Sequence, residues 1–168
     1  MAKYGVALVA ALILLVVNAS IWQKERVLAN GKTVYLALAP VDPRSLMQGD
    51  YMRLRFALEE HIRAHLPTPP PDSQDGYVVV KLNAQQLAEF ERLSPTLPSL
   101  PDTQQLALQY RIRQGQIKFA TNAFFFEEGQ ADTYAQAKYG EFKVADNGEL
   151  LLSDLRGENL TVLSKTRL

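Results

Sequence analysis

Three carboxylates, Asp50, Glu127 and Glu128, are the side chains of this sequence best suited to acid–base chemistry. Two carboxyl groups held about 5–9 Å apart can act as general acid and base, as they do in glycoside hydrolases. Asp50 is far from the two glutamates along the chain, so the fold decides whether the three groups meet. A hydrolase or a small-ligand-binding domain that uses these acids is therefore the alternative function.

The two histidines, His61 and His65, lie in residues 57–66, where apolar residues recur every four positions. That period predicts a helix and places both imidazoles on one face, as in many zinc sites. A third ligand would be needed, and Ile62 stands where zinc proteases place a glutamate. We therefore interpret the pair as an exposed polar face and predict neither a metal ion nor another cofactor.

A serine nucleophile is not supported either. A faint resemblance to the segment that follows the catalytic serine in type I signal peptidases involves Pro43, Leu46, Gly49 and Asp50. Pro40 stands in the place of that serine, and no lysine is identifiable as the base that would activate a nucleophile. We assign no catalytic residue and expect a non-catalytic protein.

The composition excludes further classes of function. The 18 basic and 18 acidic residues cancel, so the basic surface typical of nucleic-acid binding is not expected. The chain has no cysteine, which excludes disulfides, thiolate catalysis and lipid attachment at an N-terminal cysteine. Its 168 residues leave room for an apolar N-terminal segment and one domain with its own core.

Residues 4–22 are uncharged and mostly apolar, and as a helix they would span about 28 Å, close to the thickness of a bilayer's hydrocarbon core. Trp22 suits the membrane interface, and the polar run 23–26 ends the apolar stretch. A cleaved signal peptide with a small-residue site at 17–19 is the competing interpretation. We favour an uncleaved anchor in the lipid bilayer, and both interpretations export the rest of the chain.

The charges that flank this segment are nearly balanced, with Lys3 before it and Lys24 and Arg26 after it. The positive-inside rule therefore does not decide the orientation. Apolar segments this close to the N-terminus most often act as signal anchors, so we expect the C-terminal domain to lie outside the cytoplasm.

The rest of the chain predicts short strands joined by tight turns, because apolar residues alternate with period two in several runs. The Asn147-Gly148 pair predicts a hairpin with a two-residue type I′ turn. The predicted strands are 33–39, 52–56, 77–82, 106–113, 116–120, 141–145, 149–152 and, at an edge, 160–163; the predicted helices are 57–66, 84–93 and 132–138. We predict an α+β fold, in which a single N-terminal transmembrane helix precedes one mainly antiparallel β-rich domain with two or three short helices.

Two separated motifs resemble those of a known family. The first has glycine, aspartate, tyrosine and leucine at the expected spacing, in Gly49, Asp50, Tyr51, Leu54 and Phe56. It resembles the motif of the GDYxxLxY family of bacterial membrane-anchored proteins, with Phe56 where tyrosine is usual. The second, the run FFFEEG at 124–129, resembles a downstream segment of that family, with Glu127 where proline is usual.

The resemblance implies an anchor and stalk at residues 1–29 and a β-rich extracytoplasmic domain at residues 30–168. The family's molecular activity is unassigned, and its members are often associated with polytopic membrane proteins. The resemblance therefore implies an accessory subunit of such a protein, in a bacterial cytoplasmic membrane and with its domain facing the periplasm. The candidate interaction residues are Asp42, Arg44, Gly49, Asp50, Tyr51, Leu54, Phe56, Glu127, Glu128 and Gly129.

Overall fold

Helix α1, Ala2–Asn30, leads the chain in the computed structural model, which describes residues 2–39 and 51–163. The helix is 29 residues long without interruption, so the predicted anchor and stalk form one element. Its segment Leu8–Asn30 has a mean hydropathy of 1.5, and none of its apolar window is buried against the rest of the protein. This segment is long and apolar enough to cross a bilayer.

Nine strands follow in the described part of the chain, and every pairing between them is antiparallel. They are β1 (Lys32–Ala37), β2 (Tyr51–Arg53), β3 (Ser73–Leu82), β4 (Ala88–Ser94), β5 (Gln105–Arg113), β6 (Gln116–Lys118), β7 (Ala123–Phe125), β8 (Tyr139–Val144) and β9 (Leu150–Arg156). They form three sheets, with strand orders β1-β8-β9, β2-β7 and β4-β3-β5-β6. Two short helices, α2 (Leu58–Ala64) and α3 (Ala131–Tyr134), and a 3₁₀ turn (Glu158–Leu160) complete the described elements. The predicted α+β fold behind one long apolar helix is confirmed.

One hydrophobic core joins residues from all three sheets. The alternation of β5 works as the sequence predicts, because Leu106, Leu108, Tyr110 and Ile112 are buried. Residues 78–80 of β3 are fully buried, since β3 lies between β4 and β5 and both of its faces are covered. Burial of these side chains is the main favourable contribution to the stability of the domain.

The prediction of a helix at residues 84–93 is wrong, because most of this segment is strand β4. Asn83 does not cap a helix; its Oδ1 accepts hydrogen bonds from the backbone N–H groups of Gln85 at 2.9 Å and Leu87 at 3.1 Å. These bonds hold a turn that delivers the chain into β4. An asparagine offers the same bonds to a turn and to a helix start, so residue type alone does not separate the two.

A β-bulge explains why β4 has the spacing of a helix. Adjacent residues of β3 lie opposite Phe90 and Arg92, which leaves Glu91 as an extra residue in β4. The extra residue reverses the alternation, so that Phe90 and Leu93, three apart, both pack against the core. A three-residue spacing produced by a bulged strand therefore imitates the apolar stripe of a helix.

The predicted hairpin is confirmed as β8 and β9, but the predicted two-residue turn is wrong. The N–H of Ala145 donates to the carbonyl oxygen of Glu149 at 2.9 Å, and the N–H of Gly148 donates to that of Ala145 at 2.9 Å. The loop therefore has three residues, and Gly148 takes a φ of +83°. This is a type I turn followed by a glycine in the left-handed region.

Three other boundaries are shorter than predicted. Helix α3 has four residues, and β2 has three, although its alternation of buried and exposed side chains continues to Phe56. The predicted edge strand at 160–163 is reduced to one bridge between Val162 and Arg156.

Candidate functional site

Strands β2 and β7 bring together the two sequence motifs, although the motifs are far apart in the chain. Tyr51 of the first motif lies opposite Phe125 of the second, and Arg53 lies opposite Ala123. We call this two-stranded sheet, β2 with β7, the motif ribbon. The pairing gives a structural reason for two separated motifs to occur in one chain.

The aromatic run of β7 is divided between the two faces of the motif ribbon. Phe124 and Phe126 pack against Tyr134 of α3, with ring centroids 4.9 Å and 5.4 Å away. Phe125 points the other way, is 75% exposed and lies 5.7 Å from the ring of Tyr51. Alternation along a strand imposes this division, and it leaves a large aromatic side chain in contact with solvent.

Two other residues of the first motif belong to the core. Leu54 and Phe56 are each 1% exposed. The N–H of Leu54 donates to the carbonyl oxygen of Asn122 at 2.7 Å, and the N–H of Phe56 donates to Oε1 of Glu59 at 3.1 Å. These positions fix the motif ribbon to the core.

The acidic end of the second motif forms an exposed turn. Glu127, Glu128 and Gly129 are exposed, the carbonyl oxygen of Glu127 accepts the N–H of Gln130 at 3.1 Å, and Gly129 has a φ of +83°. The remaining predicted interaction residues, Asp42, Arg44, Gly49 and Asp50, lie outside the described residues. Whether Asp50 meets the two glutamates therefore stays a prediction, as does the hydrolase that would need all three.

A cleft of about 780 Å³ lies beside the motif ribbon, and its charged lining is strongly basic. The motif ribbon contributes Tyr51, Arg53 and Ala123 to the lining. Six cationic side chains from four parts of the fold line this cleft: Arg53, Arg55, Arg63, Arg111, Arg113 and Lys118. We call it the basic cleft.

Strand alternation aims these cations into the basic cleft. Arg53 and Arg55 alternate with buried residues within the first motif, and Arg111, Arg113 and Lys118 are exposed next to the buried Ile112 and Ile117. In the pairing of β5 with β6, Arg111 lies directly opposite Lys118. Directly opposed residues have Cβ atoms about 5 Å apart, so two like charges are held side by side.

Glu59 is the acidic residue that the described part of the chain contributes to the lining of the basic cleft. Burial raises the pKa of Glu59, because desolvation disfavours the carboxylate; the hydrogen bond from the N–H of Phe56 and the charges of Arg55 and Arg63 act in the opposite direction. Glu59 is therefore protonated more readily than a free glutamate, and its protonation makes the basic cleft more positive.

Arg113 differs from the other cations of the basic cleft because it has an acidic neighbour. Its Nη1 lies 2.7 Å from Oδ1 of Asp75, and both side chains are largely exposed. The hydrogen bond from Arg113 lowers the pKa of Asp75. Part of the charge of Arg113 is thus compensated within the protein.

The two histidines pack against one aromatic ring. The ring centroids of His61 and His65 lie 5.6 Å and 4.7 Å from that of Phe90 on β4. Nδ1 of His65 also lies 2.8 Å from the carbonyl oxygen of His61. Among residues 2–39 and 51–163 no three His, Cys, Asp or Glu side chains are grouped to hold a metal ion. In this structure the helical spacing of the histidines serves to cover Phe90.

A second hollow, of about 810 Å³, has a mixed lining that includes Lys32, Lys81 and Glu89. Its charges nearly balance, so it does not favour a ligand of either sign. The basic cleft is the better candidate site.

The sequence analysis did not predict the basic cleft. The net charge is zero, and its cations are dispersed between Arg53 and Lys118. The usable signal is the outward register of two predicted strands, where arginines occupy alternate positions, 53 and 55 in one and 111 and 113 in the other. Nothing local indicates that these two strands approach each other.

Comparison with known proteins gives one match. A family model described as GDYXXLXY protein matches residues 13–155, which is nearly the whole chain. No curated protein and no solved structure matches the chain. The match includes the motif ribbon and all six cations of the basic cleft.

Proposed function

The chain belongs to the GDYXXLXY protein family, and from this premise we propose that it is a membrane-anchored, non-catalytic accessory subunit of a multi-spanning membrane protein. In this proposal α1 crosses a bacterial cytoplasmic membrane and the β-rich domain faces the periplasm. The proposal has two parts, an anchor that fixes the domain at the membrane and a surface that contacts the partner.

The junction between α1 and the domain supports the first part. Lys24 forms an ion pair with Glu149 at the β8–β9 turn, and Val27 is 9% exposed. A Cβ on Gly31 would lie 3.1 Å from backbone atoms of Val144, so the chain leaves the helix in close contact with β8. These contacts hold the domain directly at the end of α1, at a fixed distance from the membrane that α1 would enter.

The second part depends on the exposed ring of Phe125, which lies against Tyr51 on the motif ribbon. Large exposed aromatic side chains are typical anchors of protein interfaces, where they contribute more binding energy than their neighbours. An anchored domain meets its partners in the plane of the membrane. A membrane protein whose exposed surface lies beside the domain is therefore the partner that this geometry favours.

Replacing Phe125 with serine is expected to separate the chain from its partner. With the full-length chain extracted from native membranes in a mild detergent, the unmodified protein should be recovered with a multi-spanning protein in stoichiometric amount. An aromatic side chain at the centre of an interface contributes about 2 kcal/mol to the binding free energy, so its loss should lower that recovery by more than about tenfold. Quantitative mass spectrometry of the purified complexes measures the ratio.

Leu97→Ser is the matched control, because Leu97 is also an exposed apolar side chain (47%) but belongs to the loop between β4 and β5 and not to the motif ribbon. The control variant should keep the partner. Reproducible recovery of the chain alone, or equal loss from both variants, would contradict the proposed function.

Because the chain has no cysteine, the orientation of α1 in the membrane can be tested with introduced cysteines and without background labelling of the chain. A cysteine introduced at the exposed Ser99 should react with a membrane-impermeant maleimide in intact spheroplasts, whereas one at Ala2 should react only after permeabilisation. The expected contrast is roughly tenfold or more, because the bilayer excludes the charged reagent. The reverse pattern would place the domain in the cytoplasm, and a label on a chain shortened by its first residues would show a cleaved signal peptide.

A further inference from the structure

We propose that the basic cleft is a phosphate-binding site, and that the phosphate belongs to an anionic phospholipid headgroup of the leaflet from which α1 emerges. The site adjoins the exposed aromatic surface assigned to the protein partner, because Tyr51 lines the basic cleft, but the exposed ring of Phe125 is not part of that lining. The choice of a headgroup rests on the proposed membrane anchor, whereas the binding of phosphate does not.

The charges of the basic cleft point to an anionic ligand. Among residues 2–39 and 51–163, six cations and one carboxylate line it, and that carboxylate belongs to Glu59, whose burial favours protonation. Guanidinium groups match the geometry of phosphate oxygens and bind them through paired hydrogen bonds. Arginine provides five of the six cations, which favours a phosphate over a ligand that needs only a diffuse positive field.

Most of these cations form no ion pair in the described structure. Arg113 is paired with Asp75, but none of the ion pairs among residues 2–39 and 51–163 involves Arg53, Arg55, Arg63, Arg111 or Lys118. Like charges opposed across two strands destabilise a sheet, and Arg111 and Lys118 are opposed in this way. A bound phosphate would remove that repulsion by placing negative charge between them.

The position of the basic cleft favours a headgroup as the source of the phosphate. A smaller crevice of about 220 Å³ adjoins it, and the two share Arg111, Phe119 and Ala120. Lys24 of α1 lines the same crevice. Lys24 comes two residues after Trp22, whose ring lies 4.9 Å from the guanidinium of Arg26, at the polar end of the apolar stretch. Arg111 is therefore close to the level at which headgroups would surround α1.

The test uses the full-length chain in a neutral detergent, with added phosphatidylglycerol, phosphatidylcholine or inorganic phosphate as separate probes. Native mass spectrometry should show at least about fivefold more phosphatidylglycerol than phosphatidylcholine retained, since each cation near an anionic headgroup contributes about that factor. Arg111→Gln should lower retention about fivefold, and Arg111→Gln combined with Lys118→Gln about 25-fold. Glu59→Gln removes the negative charge and should increase retention roughly threefold.

Arg92→Gln is the matched control, because Arg92 is an exposed arginine on β4 and does not line the basic cleft. It should leave retention unchanged, and the Arg92, Arg111 and Lys118 variants should melt no lower than the parent when no ligand is present, since the replaced cations are exposed. Binding of inorganic phosphate without preference for phosphatidylglycerol would support the phosphate site and overturn the headgroup. Failure to bind both phosphatidylglycerol and inorganic phosphate would overturn the site itself. An equal loss of phosphatidylglycerol retention in the Arg92 variant would do the same.

Discussion

Replacing Phe56 with alanine is expected to lower the free energy of unfolding of the domain by about 3–5 kcal/mol. Phe56 is 1% exposed, and its ring centroid lies 5.7 Å from that of Phe119 and 5.4 Å from that of Phe142. It also bridges to Leu38 directly after β1. One side chain therefore connects the three sheets, and its removal leaves a cavity that none of them can close alone. Urea denaturation of the full-length chain in a neutral detergent, followed by near-ultraviolet circular dichroism, measures the change.

Phe125→Ala makes the same chemical change at an exposed position and is the control for Phe56→Ala. We expect it to cost less than about 1 kcal/mol, because it removes little buried area and only the contact with Tyr51. Since small domains are stable by only about 5–15 kcal/mol, the Phe56 variant should be marginal and the Phe125 variant nearly unchanged. Similar losses of stability in both variants would show that the side chain of Phe56 does not connect the sheets.

The parts of this fold that can be predicted are the elements whose structure is determined by their own local sequence. Strand β5 is predicted because Leu106, Leu108, Tyr110 and Ile112 are buried on one face, whereas Arg111 and Arg113 are exposed on the other. Helix α1 is predicted because its length and apolar composition are sufficient. In both, local sequence and tertiary environment favour the same structure.

The sequence analysis fails where a partner strand decides the local structure. The bulge at Glu91 exists only in the pairing of β4 with β3, and without that pairing the spacing of Phe90 and Leu93 favours a helix. The turn at Gly148 has three residues because the loop also docks on β5, where the carbonyl oxygen of Gly148 accepts the N–H of Gln109 at 2.8 Å. Neither contact has a local signal.

The basic cleft is unpredictable for the same reason, on a larger scale. Arg53 and Lys118 belong to different sheets, and only the assembled core places both in one cleft. By contrast, the family resemblance of the two motifs is confirmed, but what joins the motifs is the pairing of Tyr51 with Phe125, which neither motif shows alone. A sequence motif therefore identifies a set of residues but does not show which residues they contact in the fold.

One buried ion pair is expected to matter as much to stability as the aromatic core. Glu141 on β8 is 8% exposed and is the buried charged residue of the described core. Arg156 on β9 donates to its Oε2 from Nε at 2.6 Å, and Nη2 lies 2.5 Å from the same oxygen. Asp154 lies directly opposite Glu141 in the pairing, and its Oδ2 is 3.9 Å from Nη2 of Arg156. Arg156 therefore compensates two carboxylates that would otherwise repel each other across the strands.

Arg156→Leu is expected to lower the free energy of unfolding by about 3–5 kcal/mol, because it leaves the buried carboxylate of Glu141 without a cation. Glu141→Leu combined with Arg156→Leu should recover most of that loss, since an apolar pair has no charge to desolvate. Arg113→Leu is the control: it breaks the exposed pair with Asp75 and should barely change the free energy of unfolding. Urea denaturation of the four proteins, parent included, measures the series. If the double variant were no more stable than Arg156→Leu alone, the loss would come from the packing of the arginine stem and not from the unpaired carboxylate.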